Sequence, residues 1–292
     1  MGMIKLIYTN ELGDSLVFSR DSEIHITDIS GLSENSISLS ESKVLNGVGT
    51  SNTGYDISSK TITITGQFAP DPETRRRMLD VVLPGVNATL RYIEGETDVF
   101  WDVQPTSTPT IGWSEFIQNF QFSVKAFYPY ARTFATFRET FLEQNASELL
   151  PIDFPSGEGF VIGTVENKKK VEVYNNGLET GLLIKIKPLV EDLMRFQMYD
   201  VISDASIDLA GLEGIKTTDI IEISTEPNNT YCHLVSSDGT VKNLIKYLKF
   251  TTKLPMLHRG LNTYTVRMNN DIQGRQIYGE ATIEYRKVYA GV

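Results

Sequence analysis

The sequence predicts a mainly β chain in two antiparallel domains, the first carrying a single α-helix, and three observations carry that expectation. In Thr61-Ile62-Thr63-Ile64-Thr65 isoleucine alternates with threonine, a period of two that turns one face of a strand into a core. Phe120-Gln121-Phe122-Ser123-Val124-Lys125-Ala126 repeats the pattern, apolar at every even position and polar at every odd one. From Phe160 onward, short apolar stretches parted by turn signals suggest an antiparallel sandwich.

In order, Ile4 to Tyr8 reads as a strand, Leu16-Val17-Phe18 follows a Gly13-Asp14 turn, and Ile24-His25-Ile26 is a third strand. Leu32 to Ile57 is rich in Ser, Asn and Gly and is expected to be an irregular loop. The stretch from Lys60 to Gly85 then joins a strand to the helix. Asp71 is placed to cap the first free amides, Pro72 has its torsion pre-set for the first helical position, and Glu73 suits the positive end of the helix dipole. Met78, Leu79 and Val82 are read as the buried face, Arg75, Arg76 and Arg77 look elsewhere, and Leu83-Pro84-Gly85 ends the helix. Ala88 to Ile93, an acidic turn, and Val99 to Gln104 follow, with Val99, Trp101 and Val103 on one face. The first domain closes at Tyr128-Pro129-Tyr130, giving residues 1–130.

Residues 131–155 are expected to connect the domains, with Phe134, Phe137, Phe141 and Leu142 at loosely helical spacing. Residues 156–292 form the second domain, with turns at Glu166-Asn167, Asn175-Asn176-Gly177, Asp208 to Gly214, Pro227-Asn228-Asn229 and Ser237-Asp238-Gly239. Its clearest strands alternate through Tyr264, Val266 and Met268, and through Ala281, Ile283 and Tyr285.

A chain of 292 residues with 40% hydrophobic content can give each of two domains a core. Its net charge of −10 opposes duplex DNA and anionic membranes, which attract an excess of lysine and arginine. No run approaches the roughly 20 apolar residues needed to span a bilayer. The N-terminal stretch lacks a secretory apolar core, and Leu6 departs from the myristoylation pattern after Gly2. A lone cysteine, Cys232, forms no internal disulfide and fits synthesis in a reducing cytoplasm, where the sequons at Asn87, Asn145 and Asn228 have no role.

No catalytic, cofactor-binding or metal-ligating residue is assigned, and no cofactor is expected. His25, His233 and His258 lack partners at metal-ligand spacing. Cys232 and His233 adjoin, but neighbours on a strand point to opposite faces, so a buried thiol and an exposed ring are expected. Glu94, Glu96 and Asp98 lack the oxygen spacing of a calcium loop and read as a solvated hairpin tip. Arg75 to Arg77 and Lys168 to Lys170 read as a solvated helix face and a protected strand edge, with interface salt bridges as the functional alternative. Trp101 and Trp113 could stack on a sugar; core packing is the expectation. With no phosphate loop or nucleophile elbow, an enzyme is not expected.

The chain resembles the distal tail proteins, or siphovirus-type tail components, of long-tailed bacteriophages. The carriers are Ile62-Thr63-Ile64-Thr65-Gly66 through Arg77-Met78-Leu79 to Leu83-Pro84-Gly85, and the close Phe122-Ser123-Val124-Lys125-Ala126-Phe127-Tyr128-Pro129-Tyr130. Tyr174-Asn175-Asn176-Gly177, Leu257-His258-Arg259-Gly260-Leu261-Asn262, and Ile283-Glu284-Tyr285-Arg286 through Tyr289-Ala290-Gly291-Val292 complete the set. The resemblance implies an N-terminal β-sandwich with one helix that closes into a hexameric ring, and a galectin-like C-terminal sandwich facing outward. It implies a hub in the virion tail, assembled in the bacterial cytoplasm, that joins the tail tube to tail-tip or baseplate proteins. DNA would pass its lumen without specific binding, and no membrane is a partner. Some such proteins carry a receptor-binding insertion in the second domain, and the spacing from Phe160 to Val292 leaves little room for a large one. The second reading is a carbohydrate-binding β-sandwich module, and a hydrolase is the third.

Overall fold

A computed structural model describes residues 4–43, 48, 50–143, 170–189, 191, 193–227, 229–249, 253–269 and 279–292. The chain is mainly β and divides into two units, Met1–Ala135 with Val288–Val292, and Thr136–Lys287. No helix among the described residues is long and apolar enough to cross a membrane.

The first unit begins with β1 (Lys5–Asn10), β2 (Ser15–Ser19), β3 (Ile24–Ser30), β4 (Ile37–Lys43), β5 (Thr50–Ile57) and β6 (Lys60–Phe68). Helix α1 (Pro72–Val81) follows, then β7 (Ala88–Glu94), β8 (Thr97–Pro105), β9 (Thr110–Ile111), β10 (Gln118–Ala126) and β11 (Ala131–Thr133). Seven strands pair in the order β8-β7-β1-β2-β3-β6-β10, and β10 meets β8 again through Val124–Pro105 and Lys125–Gln104. The two-layer build expected from the sequence is here one sheet bent over to meet itself. Alternation along each strand then fills the interior: Leu6, Tyr8, Phe18, Ile62, Ile64, Trp101, Phe120, Phe122 and Val124 are all buried in one cluster. Tyr8 meets Phe122 edge to face with ring centroids 6.1 Å apart, and Phe18 lies 5.8 Å from Phe122.

Asp71 caps α1 as its chemistry predicts, accepting from the backbone N–H groups of Glu73 and Thr74, with Pro72 behind it. The buried stripe differs from the expected one: Met78, Val81 and Val82 are inside, and Leu79 is half-buried. Positions separated by three and four residues share a face, which joins Val81 to Met78 and turns Leu79 about a quarter-turn away.

The second unit contains β12 (Phe137–Glu143), β13 (Lys170–Asn175), β14 (Leu183–Pro188), β15 (Arg195–Asp200), β16 (Ser206–Ala210) and β17 (Ile220–Glu226). It continues with β18 (Asn229–Val235), β19 (Val241–Asn243), β20 (Leu248–Lys249), β21 (Gly260–Asn269) and β22 (Gly279–Tyr285). A six-stranded sheet, β12-β22-β14-β17-β18-β19, and a five-stranded one, β13-β21-β15-β16-β20, share one core. Ile184, Ile186, Ile221, Ile223 and Ile283 come from the first sheet; Phe196, Met198, Ile207, Leu209, Tyr264 and Val266 come from the second. The last strand, β23 (Val288–Tyr289), pairs with β11 and returns the chain to the first unit, where the sequence reading kept it in the second.

Two stretches differ from expectation. The loop foreseen over Leu32 to Ile57 contains an antiparallel hairpin, β4 with β5. Phe134, Phe137 and Phe141, read as loosely helical, lie in or beside strands: Phe137 opposes Tyr285 and Phe141 opposes Ala281. Residues 144–169, with the start of the second domain's predicted strands and the turn at Glu166-Asn167, lie outside the described residues.

Gly66 sits at a close approach of strands β3, β6 and β10. A side chain there would collide with the His25 carbonyl oxygen and stand 2.6 Å from the Phe120 ring, beside the register shift between Ile26 and Asp28. Gly66→Ala is therefore expected to lower the stability of the first unit by about 1–3 kcal/mol, the usual cost of overpacking. Urea unfolding followed by tryptophan fluorescence reads this, and an unchanged midpoint would contradict the tight approach.

Candidate functional site

Among the described residues of the first unit, two stretches group several exposed large apolar side chains. Among the described residues, the β4–β5 hairpin pairs with no other strand. Its register sets Ile37 opposite Ile57 and Leu39 opposite Tyr55, so these four side chains share one face. Ile37, Leu39 and Tyr55 are 56%, 62% and 63% exposed. An isolated two-stranded hairpin is marginal in water, so this arm depends on its root and on whatever covers it.

The root is firmly held. Gly31 has φ +87° and passes so close to the Thr61 carbonyl that a side chain would collide with it. Lys60 Nζ donates to the Leu32 carbonyl at 2.7 Å and lies 5.8 Å from the Trp101 ring centroid. Burial lowers the Lys60 pKa, and Glu34 partly offsets this. The Ser58 amide donates to the Ser36 carbonyl at 3.0 Å. Asn35 Nδ2 donates to the Ala290 carbonyl, and a side chain at Gly291 would stand 2.8 Å from Ser33 Cα.

The second exposed part is the turn between β9 and β10. Trp113 and Phe116 are 84% and 85% exposed, and Ile117 is 46% exposed. The backbone beneath them is pinned: Ser114 Oγ accepts from the Phe116 amide at 3.3 Å, and the Gly112 amide donates to the Asn119 carbonyl at 2.8 Å. Core packing, expected for both tryptophans, holds for Trp101, which is buried and donates its indole N–H to the Pro129 carbonyl at 3.2 Å. It does not hold for Trp113. Sequence reasoning missed both exposed parts, although Ile37-Ser38-Leu39-Ser40 carries a strand's alternation and Gly112-Trp113-Ser114 sits among turn formers.

The chemistry-bearing candidates are dispersed. Cys232 faces the core and burial pushes its thiol up to about 12, which keeps it protonated and poorly nucleophilic. His233, on the opposite face, stacks on Tyr231 at 4.6 Å. His25 is exposed on β3. His258 stands between two carboxylates, with Nδ1 2.5 Å from Glu179 and Nε2 3.7 Å from buried Asp200. Among the described residues, no group of three His, Cys, Asp or Glu side chains is placed to hold a metal. Glu94 accepts from the Tyr92 hydroxyl, Asp98 holds Arg91 through two bonds of 2.7 and 2.6 Å, and Glu96 lies on the turn between β7 and β8. Arg76 pairs loosely with Asp80 at 3.5 Å, Arg77 donates to the Ser15 carbonyl, and Arg75 is half-buried. Lys170 pairs with Glu172 at 2.6 Å; Lys168 and Lys169 lie outside the described residues. An open cleft of about 490 Å³ includes Glu11, Asn87, Asp102, Gln104 and Phe127 in its lining. Its polar groups serve one another: Asn87 donates to Glu11, Gln104 donates to Asn87, and Asp102 pairs with Arg132.

In the second unit, ion pairs stiffen the outer faces of the sheets. Glu284 is buried between Arg138 and Lys185, with Arg138 Nε and Lys185 Nζ each at 3.0 Å. Burial alone would raise its pKa, but the two cations outweigh it and the carboxyl titrates below its ordinary range. Arg195 grips Asp208 with two bonds of 2.9 and 2.7 Å.

Against solved structures, the chain matches the Dit protein of phage SPP1 with a TM-score of 0.56 and 11% identity, over 97% of this chain and 98% of that one. That protein is described as a paradigm of the hub adsorption apparatus in phages that infect Gram-positive bacteria. This is the fold of a phage tail hub protein. A chain of the phage P2 baseplate in its activated conformation shares the hub-protein fold, with a TM-score of 0.51, 14% identity and coverage of 97% and 98%. No protein-family model and no curated protein sequence matches the chain. At 11% and 14% identity it is the arrangement of strands that carries the likeness.

The Arg195–Asp208 pair gives a pH signature to the hub-protein fold's second unit. The hydrogen bonds from Arg195 hold the Asp208 carboxyl below its ordinary value of 3.8, burial works against them, and Lys249 adds to them. A carboxyl depressed in the folded state contributes stability above its unfolded pKa and loses it as pH falls through the folded one. Arg195→Met should therefore cost about 1–2 kcal/mol at pH 7, scaled down for the partly exposed arginine. The difference from wild type should shrink as the pH drops below about 4. Thermal melts from pH 7 to pH 3 check both points; a cost that stays constant with pH would mean lost packing alone.

Proposed function

We propose that the chain is the hub at the distal end of a phage tail. Its first unit closes into a homo-oligomeric ring of six copies. The second, which we read as a galectin-like sandwich, offers surface to tail-tip or baseplate proteins. The ring joins these to the tail tube. The observation that carries this reading is the match to a hub protein over 97% of the chain, which covers both units and not a shared strand motif.

The surface chemistry supports the same reading. Closing the barrel pairs β10 with β8 and removes open edges there, while the arm and the aromatic turn offer exposed apolar surface to a neighbour. A structural role fits the hub and baseplate proteins whose fold the chain shares. Assembly would take place in the bacterial cytoplasm and the product would reside in the virion tail. With a net charge of −10, the lumen would pass DNA without holding it, since each phosphate gripped by lysine or arginine would slow transit.

Particle mass across a concentration series, with negative-stain images, tests the ring. The expected outcome is a closed particle of six times 32.7 kDa. A chain that stays monomeric up to about 1 mM, where even a weak contact of about 4 kcal/mol would form, is the contrary result. Duplex-DNA binding at low and moderate salt should be negligible, and salt-sensitive binding would overturn the proposal of free passage.

A further inference from the structure

We propose that the Trp113–Ile117 turn of one copy is the seat on which the β4–β5 arm of the next copy docks. This rests on the ring reading and adds the pair of surfaces that would make the contact.

Position argues for it first. The arm leaves the barrel after β3 and returns at Lys60, the first residue of β6. The turn sits at the other end of the same ladder, because Phe68, the last residue of β6, opposes Gln118, the residue after Ile117. The eight steps from Lys60 to Phe68 along β6, at about 3.3 Å each, separate the two ends by about 26 Å. The arm root and the turn thus leave the barrel at opposite ends. A head-to-tail contact, the kind that closes a ring, needs this: two different patches on one chain, placed so that one copy's first meets the next copy's second.

Chemistry and area argue for it next. Ile37, Leu39 and Tyr55 on the arm, and Trp113, Phe116 and Ile117 on the turn, are among the most exposed large apolar side chains of the first unit. An aromatic side chain can bury about 150–250 Å². Three of these six are aromatic, so together they provide several hundred Å² of apolar surface, enough for the centre of an interface of roughly 1,200–2,000 Å². Tryptophan and tyrosine are the residues that most often dominate such centres. The turn stands on pinned backbone and the arm on a pinned root, which limits what docking must order. Other exposed apolar residues are isolated or engaged: Leu12 stands alone on the β1–β2 turn, and Phe127 has the Lys125 ammonium 5.7 Å from its ring centroid.

Two double variants test it, Trp113→Ser with Phe116→Ser and Leu39→Ser with Tyr55→Ser, each checked by circular dichroism and measured by native mass where the wild type assembles. Each alone should weaken association about thirtyfold or more, the effect of losing a hot-spot side chain. Mixed in equal amounts, the two should form a heterodimer and no ring, because the turn variant keeps a working arm and the arm variant keeps a working turn. A turn variant that assembles as the wild type does would overturn the inference and leave the ring standing, with the turn then free for a different tail protein. Two monomeric variants that give no heterodimer on mixing would also overturn it, since the patches would not be each other's partners. A wild type that remains monomeric would overturn both this and the ring. If either double variant misfolds, Leu39→Cys combined with Phe116→Cys in one chain replaces it: oxidation should give a ladder of covalent oligomers, and its absence refutes the contact. Buried Cys232 takes no part in that crosslink.

Discussion

The constraint on which the first unit depends is that every strand edge left in water exposes unpaired amides and carbonyls. The short pairing of Val124 and Lys125 with Pro105 and Gln104 meets it by joining the two ends of a seven-strand order. Once the sheet is closed, alternate side chains of all seven strands face one interior. Trp101, Phe120 and Phe122 can then be fully enclosed without a second sheet to cover them. With β3 and β6 already paired along the closed sheet, the chain between them pairs with itself, Ile37–Lys43 against Thr50–Ile57. The arm is a by-product of closure as much as a feature in its own right.

The second unit meets the same constraint with two sheets around one core and spends its charges differently. Arg138, Glu284 and Lys185 form a chain across neighbouring strands, and Arg195 with Asp208 bridges two more. Such pairs contribute little stability when exposed, but opposite charges placed directly across, as Arg138 and Glu284 are, or on the diagonal, as Arg195 and Asp208 are, favour one register over its neighbours. They are better understood as devices that fix strand alignment than as sources of affinity for an external ligand.

Local chemistry was legible in the sequence and distant chemistry was not. Asp71 and Pro72 announced the start of the helix because capping is decided within four residues. The alternation in Thr61–Thr65 and Phe120–Ala126 announced two strands because their cores are on one face. Phe137 and Phe141 misled because a spacing of four satisfies a helix and a strand alike; only pairing with Tyr285 and Ala281, far along the chain, decides between them. The arm misled for another reason. Its apolar residues face water in the single chain, so a pattern that normally signals burial appeared weak among serines and glycines. Trp113 marks the same limit, since composition assigns tryptophan to cores by default and only the three-dimensional placement of its turn shows otherwise.

The return of residues 288–292 to the first unit has a consequence in time. Ala290 and Gly291 press against Asn35 and Ser33 at the root of the arm, yet they are translated only after the whole of Thr136–Lys287. At about 5–20 residues per second, a ribosome needs about 8–30 s to make that intervening stretch. For that interval the barrel strands are already in the emerging chain while the arm's root lacks its last support. Nascent copies on neighbouring ribosomes thus carry a loosely held arm, and the fully braced form exists only once the second unit has been synthesised.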